Sequence, residues 1–228
     1  DSQTTDTVQT DLRDGVMVIT LNRPHKKNAI DTGMWIALRE AFLAAAADDA
    51  VSCVLLCGNG DNFCAGVDLA SFGDVAPGEE HPFESAARAV SNFDKPLVAA
   101  AQGAAVGGGA TVLFHADIVY VSESLRLRLP FASLGLVPEW GSSYMLQANI
   151  GAQRAAELFY TAEWIDADKA LKAAADDAAK ATAQTALDAA NAAVPAAQAA
   201  ADAARAAVPA DALAKFDAAL AALEPTSE

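Results

Sequence analysis

Segments with strand patterns alternate with segments with helix patterns over most of this chain, and that alternation is the strongest constraint on its fold. Two β-branched runs, 8–13 and 16–21, flank Asp14-Gly15, a dipeptide that favours a tight hairpin turn. Asp31 then precedes a segment with helical spacing, in the place that an N-cap residue takes. The chain is therefore predicted to open with a β-hairpin followed by a helix.

The alternation continues through the middle of the chain. Apolar runs and their periodicity predict a strand over 51–57, a helix over 82–93, a strand over 97–101, a helical segment over 111–115 and a strand over 118–121. Between these elements, 103–109 is interpreted as a glycine-rich loop. Because strands and helices keep alternating to about residue 170, the sequence predicts an α/β domain.

The composition changes abruptly after residue 170, where roughly half of the residues are alanine. Alanine favours helix, but large apolar side chains are sparse there, so little apolar face is available to pack on a core. We predict a core over 1–170 and an alanine-rich helical tail over 171–228, either mobile or simplified in sequence. No function is assigned to the tail.

Composition limits the classes of function. The chain has 228 residues, 53% of them hydrophobic and 20% charged, which suits one ordinary domain with a buried core. Its formal net charge of -15 argues against nucleic acid, because that binding needs basic patches that displace phosphate counterions. An anionic ligand would therefore have to be met by local donors.

Cysteines and histidines give no sign of a metal site. Cys53, Cys57 and Cys64 have no paired framework, so we expect reduced, buried thiols and a cytoplasmic protein. The three histidines lack the HExxH spacing of a zinc site. The acidic N-terminus does not resemble a signal peptide, and no apolar run is long enough for a membrane span. No metal and no membrane contact are expected.

Glu139 is the first catalytic candidate. It lies in a loop bounded by proline and glycine, beside the apolar run 134–137 and Trp140. Burial in apolar surroundings raises the pKa of a carboxyl group, and a raised pKa suits a group that takes and returns protons near neutrality. The alternative is a surface glutamate that caps the helix starting near Gly141, since acids are favoured at helix N-termini.

Two loops that follow strands have the composition of anion-binding loops. One covers 58–69 and the other 102–109, and small residues in both allow a ligand to approach backbone N–H groups. The second leads into a helix, whose first N–H groups are free. Ordinary tight turns are the alternative for both loops. Neither loop continues as a dinucleotide fingerprint or a P-loop, and no nucleophile elbow of a serine hydrolase is present.

Four motifs, in register and in order over about residues 8–170, resemble the crotonase (enoyl-CoA hydratase/isomerase) superfamily. They are Asn22-Arg23-Pro24, Asn28-Ala29-Ile30, Phe63-Cys64-Ala65-Gly66-Val67-Asp68-Leu69, and Lys95-Pro96-Leu97-Val98-Ala99-Ala100 ahead of Gly107-Gly108-Gly109. The resemblance implies an α/β spiral of ββα repeats, here with an atypical alanine-rich helical C-terminal region. It also implies an acyl-CoA thioester substrate and a homotrimer or dimer of trimers, and no cofactor, because coenzyme A belongs to the substrate.

The resemblance also implies the site residues. The peptide N–H groups of Ala65 and Gly108 would form an oxyanion hole for the thioester enolate. The substrate would be bound by Ala65, Gly66, Val67, Asp68, Leu69 and Gly108, together with the lysines discussed below. The glutamates of the family's hydratases would fall at Thr111 and Phe131, which cannot activate water, so hydration is disfavoured.

Residues 129–143 resemble the Δ3,Δ2-enoyl-CoA isomerase branch, in which the glutamate of a Pro-Glu motif is the base. Glu139 matches that glutamate. The implied reaction shifts a double bond from position 3 to position 2 of an enoyl-CoA. Two alternatives stay open: a catalytically silent acyl-CoA-binding or assembly domain, and another reaction of the superfamily such as thioester hydrolysis or hydration.

Three features in or beside these motifs have two interpretations each: a basic cluster, Asp68 and Trp140. Arg23, Lys26 and Lys27 form a basic cluster that would contact the CoA phosphates, or that is only a solvated turn. Asp68 is expected to close its own loop rather than to react. Trp140 would either dry the pocket and raise the pKa of Glu139, or obstruct the acyl chain.

Overall fold

The structure of the chain is a computed structural model that describes residues 7–71 and 80–168. These residues all fall within the first of two units, Asp1–Ala174. The predicted tail over 171–228 lies outside the described residues. No helix in the described part is long and apolar enough to cross a membrane, and no cluster of metal-ligating side chains occurs there.

A five-stranded sheet forms the larger layer. Its order is β1-β2-β3-β4-β6, with β1 Val8–Arg13, β2 Val16–Leu21, β3 Cys53–Gly58, β4 Leu97–Ala101 and β6 Ile118–Val121. The first two strands are antiparallel around the turn at Asp14 and Gly15, and all other neighbours are parallel. The predicted hairpin and the mixed α/β class are confirmed.

Two helices connect the parallel strands. Helix α1 covers Thr32–Ala47, and Asp31 is its N-cap residue. The Asp31 side chain accepts a hydrogen bond from the Met34 N–H at 2.8 Å, as the N-cap prediction requires. Helix α2, Pro82–Ser91, ends two residues before the predicted boundary at 93. Parallel strands send their carboxyl ends to one edge of a sheet, so the loops after β3 and β4 lie on the same side.

A second, three-stranded sheet was not predicted. Its order is β5-β7-β8, with β5 Ala104–Val106, β7 Arg126–Arg128 and β8 Ile165–Asp166. Strand β5 lies inside the segment interpreted as a loop over 103–109, so that interpretation is wrong for its centre. Three residues of alanine and valine are too short to show a periodic pattern, and β5 exists because it pairs with β7.

Three further α-helices lie in the second half of the described part. Helix α3, Gly108–Thr111, starts three residues before the predicted helical segment and continues as a 3-10 turn, Val112–His115. Helices α4, Ser142–Ile150, and α5, Ala152–Thr161, follow the Glu139 loop. The core lies between α1 and the large sheet. Its largest fully buried side chains are Trp35, Phe42, Phe63, Ile19, Leu21, Met34, Leu38 and Leu56.

The cysteines are free, but only one is fully buried. Cys64 is buried, and burial raises the pKa of its thiol to about 12. Cys53 and Cys57 lie on β3 and are only half-buried, so the expectation of three buried thiols holds for one of them.

Candidate active site

A cavity of about 420 Å³ opens at the edge where the loops after β3 and β4 meet. It is lined by Ala65, Gly66, Val67, Leu69, His81, Phe83, Val106, Gly107, Gly108, Pro130, Phe131, Leu134, Leu136, Val137 and Glu139. All of these side chains are apolar or absent except those of His81 and Glu139. A ligand in this cavity therefore meets one carboxylate on otherwise largely hydrophobic walls.

Glu139 faces the cavity and is held there by one hydrogen bond. The Thr111 hydroxyl donates to its Oε1 at 2.8 Å. Burial raises the pKa of the Glu139 carboxyl, and the hydrogen bond from Thr111 opposes that rise. The carboxyl group is thus kept in a partly desolvated environment with one side-chain donor, Thr111, and its own backbone N–H nearby, which is the setting expected for a general base.

The helix-capping interpretation of Glu139 is not what the structure shows. Helix α4 has Gly141 at its N-cap and no side-chain hydrogen bond there. The backbone carbonyl of Glu139 accepts instead from the N–H and the hydroxyl of Ser142, at 3.0 and 2.6 Å. The carboxylate is consequently available to the cavity.

The two predicted anion-binding loops pair with each other directly. The Cys64 N–H donates to the Ala104 carbonyl, and the Val106 N–H donates to the Cys64 carbonyl, both at 3.0 Å. The backbones come so close that a Cβ on Gly66 would stand 2.5 Å from the Val106 oxygen. Only glycine fits at this contact, which accounts for the glycine of the 63–69 motif.

The Ala65 N–H is not available to a ligand, which corrects the sequence-based assignment. It donates to the Lys27 carbonyl oxygen at 2.9 Å. Val67, two residues after Ala65, forms a parallel bridge with Ile30. The Ile30 N–H donates to the Gly66 carbonyl oxygen at 2.8 Å, and the Asp68 N–H donates to the Ile30 carbonyl oxygen at 2.9 Å. In such a parallel bridge the Val67 N–H points away from Ile30.

Val67 and Gly108 carry free N–H groups and both line the cavity. Neither donates to an acceptor within the described residues, since Gly108 is the first residue of α3 and has no intrahelical acceptor. The two loops are adjacent here, because a Cβ on Gly66 would lie 3.8 Å from the Gly108 nitrogen. Both residues line the cavity that Glu139 faces. Ala65, Gly66 and Leu69 also line it.

Asp68 lies on the other side of its loop. Its Oδ2 pairs with Arg23 Nη2 at 3.1 Å, and its Oδ1 accepts from the Ala70 N–H at 3.2 Å. The Ala70 hydrogen bond and the Arg23 guanidinium hold the pKa of Asp68 below its usual value. The side chain does not line the cavity, so a contact of Asp68 with substrate stays a prediction without support from this geometry, whereas the expected local hydrogen bond is present.

Only part of the basic cluster remains free for a ligand. Arg23 also pairs with Asp31 at 3.2 Å and donates to the Ala29 carbonyl at 2.6 Å, so its guanidinium is already engaged. Lys26 and Lys27 are exposed next to this turn and do not line the cavity. A phosphate contact by these two lysines stays a prediction.

Trp140 neither enters nor blocks the cavity. Its backbone has a φ of +55°, and its indole N–H donates to Ala87 at 3.2 Å and to Ser91 at 3.0 Å, both on α2. The ring packs against Trp35 and Phe83 with centroid distances of 6.2 and 5.6 Å. Trp140 does not line the cavity, so the structure gives no support to obstruction of the acyl chain, and its contacts with α2 anchor the loop that carries Glu139.

His81 is the one polar side chain among the cavity-lining residues that sequence reasoning missed. Its Nδ1 accepts from the Phe83 N–H at 3.0 Å and caps helix α2, which places the remaining ring proton on Nε2. Histidine is not a preferred N-cap residue, so only its position directly before Pro82 hinted at this role.

The two positions at which the resemblance places hydratase glutamates, Thr111 and Phe131, carry no carboxylate. Thr111 is completely buried under the cavity and contacts Glu139, whereas Phe131 is part of the cavity wall. Among the residues that line the cavity, Glu139 is the one carboxylate. A paired loop system with free N–H groups next to a single desolvated carboxylate can stabilise a developing oxyanion and move a proton.

A family model described as enoyl-CoA hydratase/isomerase matches residues 11–223. The chain belongs to this family, and the crotonase-like fold expected from the sequence motifs is confirmed.

Three curated relatives show how the family members divide by name. The chain is 33% identical over 164 residues to 1,2-epoxyphenylacetyl-CoA isomerase of Escherichia coli (strain K12), which covers 68% of this chain and 63% of the relative. It is 38% identical over 165 residues to Enoyl-CoA delta isomerase 2 of Homo sapiens, with 69% of this chain and 42% of the relative covered. It is 35% identical over 162 residues to Enoyl-CoA hydratase ACTT3 of Alternaria alternata, with 69% and 55% covered. The chain thus spans from 42% to 63% of the lengths of these relatives.

Solved structures give the same family. An enoyl-CoA hydratase/isomerase from Pseudoalteromonas atlantica T6c is 37% identical with a TM-score of 0.71, over 74% of this chain and 67% of that one. An enoyl-CoA hydratase from Mycobacterium marinum is 41% identical with a TM-score of 0.68, over 74% and 81%. Names of hydratases and isomerases both occur, so similarity alone does not choose between the reactions.

Proposed function

We propose that this protein is an acyl-CoA isomerase that shifts a double bond from position 3 to position 2 of an enoyl-CoA. The observation that carries the proposal is the single carboxylate, Glu139, on an apolar cavity wall next to the free N–H groups of Val67 and Gly108. Hydration needs further groups to activate water, and Thr111 and Phe131 supply neither. One relative, Enoyl-CoA delta isomerase 2 of Homo sapiens, is named for an enoyl-CoA isomerisation, which supports this reaction.

The thioester carbonyl would accept hydrogen bonds from Val67 and Gly108. These bonds make the C2 proton more acidic, because they stabilise the negative charge that develops on the oxygen when that proton leaves. Ionised Glu139 removes the proton, and the electrons of the broken C–H bond form a dienolate. Protonated Glu139 then returns the proton at C4, which leaves a conjugated 2-enoyl thioester and an ionised base.

The rest of the substrate fits the surroundings of the site. Leu134, Leu136 and Val137 offer an apolar wall to the acyl chain. Lys26 and Lys27 are exposed cations that would meet the CoA phosphates by charge attraction. Coenzyme A is part of the substrate in this proposal, so the reaction described needs no cofactor.

A homotrimer, as the resemblance implies, is carried forward as part of the proposal. The edge strand β6 leaves large apolar side chains exposed, with Ile118 and Val121 each at 50% and Tyr120 at 62% of their full accessibility. Exposed apolar edges of this kind are commonly covered in assemblies. The mass of the purified protein in solution, by light scattering, would test this part separately.

The activity test uses a 3-enoyl-CoA and follows the absorbance of the conjugated 2-enoyl thioester. Wild-type protein should produce the absorbance, and Glu139→Gln should lose about 100- to 10000-fold of the rate, the usual size of a general-base effect. Glu123→Gln changes an exposed glutamate outside the cavity and is the matched control. Binding without turnover would support the silent acyl-CoA-binding domain, and release of free CoA would support hydrolysis; either result refutes the isomerase proposal.

A further inference from the structure

The Thr111 hydroxyl lies between the base and the loop that carries an N–H donor. Thr111 is fully buried, and its Oγ1 is 2.8 Å from Glu139 Oε1 and 3.4 Å from the Gly108 carbonyl oxygen. A hydroxyl has one proton, so it donates to one acceptor at a time. The much shorter distance and the charge of a carboxylate assign that proton to Glu139.

The contact ties the two halves of the site together. Gly108 and Thr111 are the first and last residues of α3, a single helical turn. Glu139 Oε1 lies 3.9 Å from the position of a Cβ on Gly108, so the carboxylate sits directly over that turn. Glu139 itself belongs to a loop 28 residues further along the chain. Thr111 is the one side chain in the described part that bonds its carboxylate to this turn.

One carboxylate oxygen of Glu139 is therefore held by Thr111, and the other is available to transfer a proton. Oε1 accepts from Thr111, and within the described part the other donor to this carboxylate is the backbone N–H of Glu139 itself, so no second side chain holds Oε2. Fixing Oε1 sets the rotation of the carboxylate about its last side-chain bond, a torsion that is otherwise broad. The direction of Oε2 relative to the Gly108 N–H then follows from the geometry of one turn.

We propose that Thr111 is a positioning residue, which pins Oε1 of Glu139 to the α3 turn so that Oε2 alone carries the proton between substrate carbons. This inference rests on the proposed function, because it assigns the second oxygen of the same base. It extends that proposal to the position at which the resemblance places a hydratase glutamate, and it assigns a role to the hydroxyl found there.

The hydroxyl also sets the charge state of the base. Burial favours the neutral carboxyl, whereas a hydrogen bond donated by Thr111 favours the ionised form that removes a proton. Without the hydroxyl, the pKa of Glu139 is expected to rise further. A hydrogen bond to a charged group has a strength that corresponds to a shift of about one to two pH units.

Thr111→Val removes the hydroxyl and keeps the shape of the side chain, and Thr111→Ser keeps the hydroxyl. We expect the acid limb of the kcat/KM profile to move up by about one to two pH units in Thr111→Val, with the loss of rate greatest at low pH. Thr111→Ser should restore the position of the limb. Thr161→Val, at an exposed threonine that does not line the cavity, is the control for the loss of a threonine hydroxyl.

A second measurement does not depend on turnover. In protein labelled with 13C-glutamate, the side-chain carboxyl signal of Glu139 is identified by its absence from Glu139→Gln and is titrated in wild type and in Thr111→Val. A raised pKa in the variant supports the contact even where the wild type fails to isomerise, an outcome that would refute the proposed function alone. An unchanged titration, or a loss of rate that is uniform across pH in an active enzyme, would overturn the inference.

Discussion

Substituting Gly66 tests whether the close contact between the two loops sets the geometry of the site. Gly66 has a φ of +88°, and an added Cβ would stand 2.5 Å from the Val106 carbonyl oxygen. Ordinary contact begins at 3.4 Å, so in Gly66→Ala the two backbones must separate by about 0.9 Å, the difference between these distances. That separation would move Val67 away from Gly108.

The expected effects are a large loss of activity and a moderate loss of stability. A misplacement of about 1 Å can cost on the order of 100-fold in rate, because the donors no longer converge on the oxyanion. Left-handed backbone costs alanine about 1–2 kcal/mol, and overpacking adds about 1–3 kcal/mol. For a chain of this size each kcal/mol corresponds to about 2–4 °C in Tm.

Gly151→Ala provides the matched control. Gly151 has a φ of +82° and no atom within 4 Å of the added Cβ, so it shares the backbone strain but not the clash. Isomerisation is followed by absorbance and Tm by circular dichroism. Gly151→Ala should lower Tm and keep kcat, whereas Gly66→Ala should lower both. Equal kcat in Gly66→Ala and the wild type would refute the reasoning that the loop contact holds the donors in place.

Three further changes probe single contacts. Because burial raises the pKa of Glu139 above its unfolded-state value, ionisation of this carboxyl destabilises the fold as pH rises. Glu139→Gln should thus have a higher Tm than wild type at about pH 8 and lose this advantage near pH 4, as measured by melting curves between these two pH values. Asp68 has a lowered pKa and pairs with Arg23, so its contribution is present at neutral pH and lost on acidification. Asp68→Asn should lower Tm at pH 7, and its difference from wild type should shrink as pH falls below the ordinary carboxyl pKa of about 4 in the same assay. Trp140→Phe removes the indole N–H that bonds Ala87, and should cost about 1–3 kcal/mol in urea unfolding together with a fall in kcat, since the Glu139 loop loses its anchor.

Local patterns sufficed for the elements whose signals are local. The hairpin strands, the Asp31 cap and strand Leu97–Ala101 follow from residue types within a few positions, and the structure has them at the predicted residues. Strand β5 is different, because its three residues become a strand only by pairing with β7, more than 20 residues later. Its neighbours along the chain carry no information about that pairing.

The same distinction separates the parts of the site. The apolar surroundings of Glu139 are visible in its own loop, and the structure places its carboxylate on the cavity wall. The identity of the N–H donor is not visible in this way, because every residue of the 63–69 motif has an N–H group. Pairing with Lys27 and Ile30, more than 30 residues upstream, uses the Ala65 donor and leaves that of Val67.

Each chemical group of the site is supplied by a different segment, and a tertiary contact fixes each to the next. The Val67 loop is held by Ile30 and by β5, the Gly108 turn follows β5 directly, and Thr111 on that turn bonds Glu139. A change in any one contact is therefore expected to alter the orientation of these chemical groups while leaving all of them in the site. Variants that keep every group but shift one contact should accordingly lose kcat while still binding the CoA ester, since binding is shared among many apolar wall atoms.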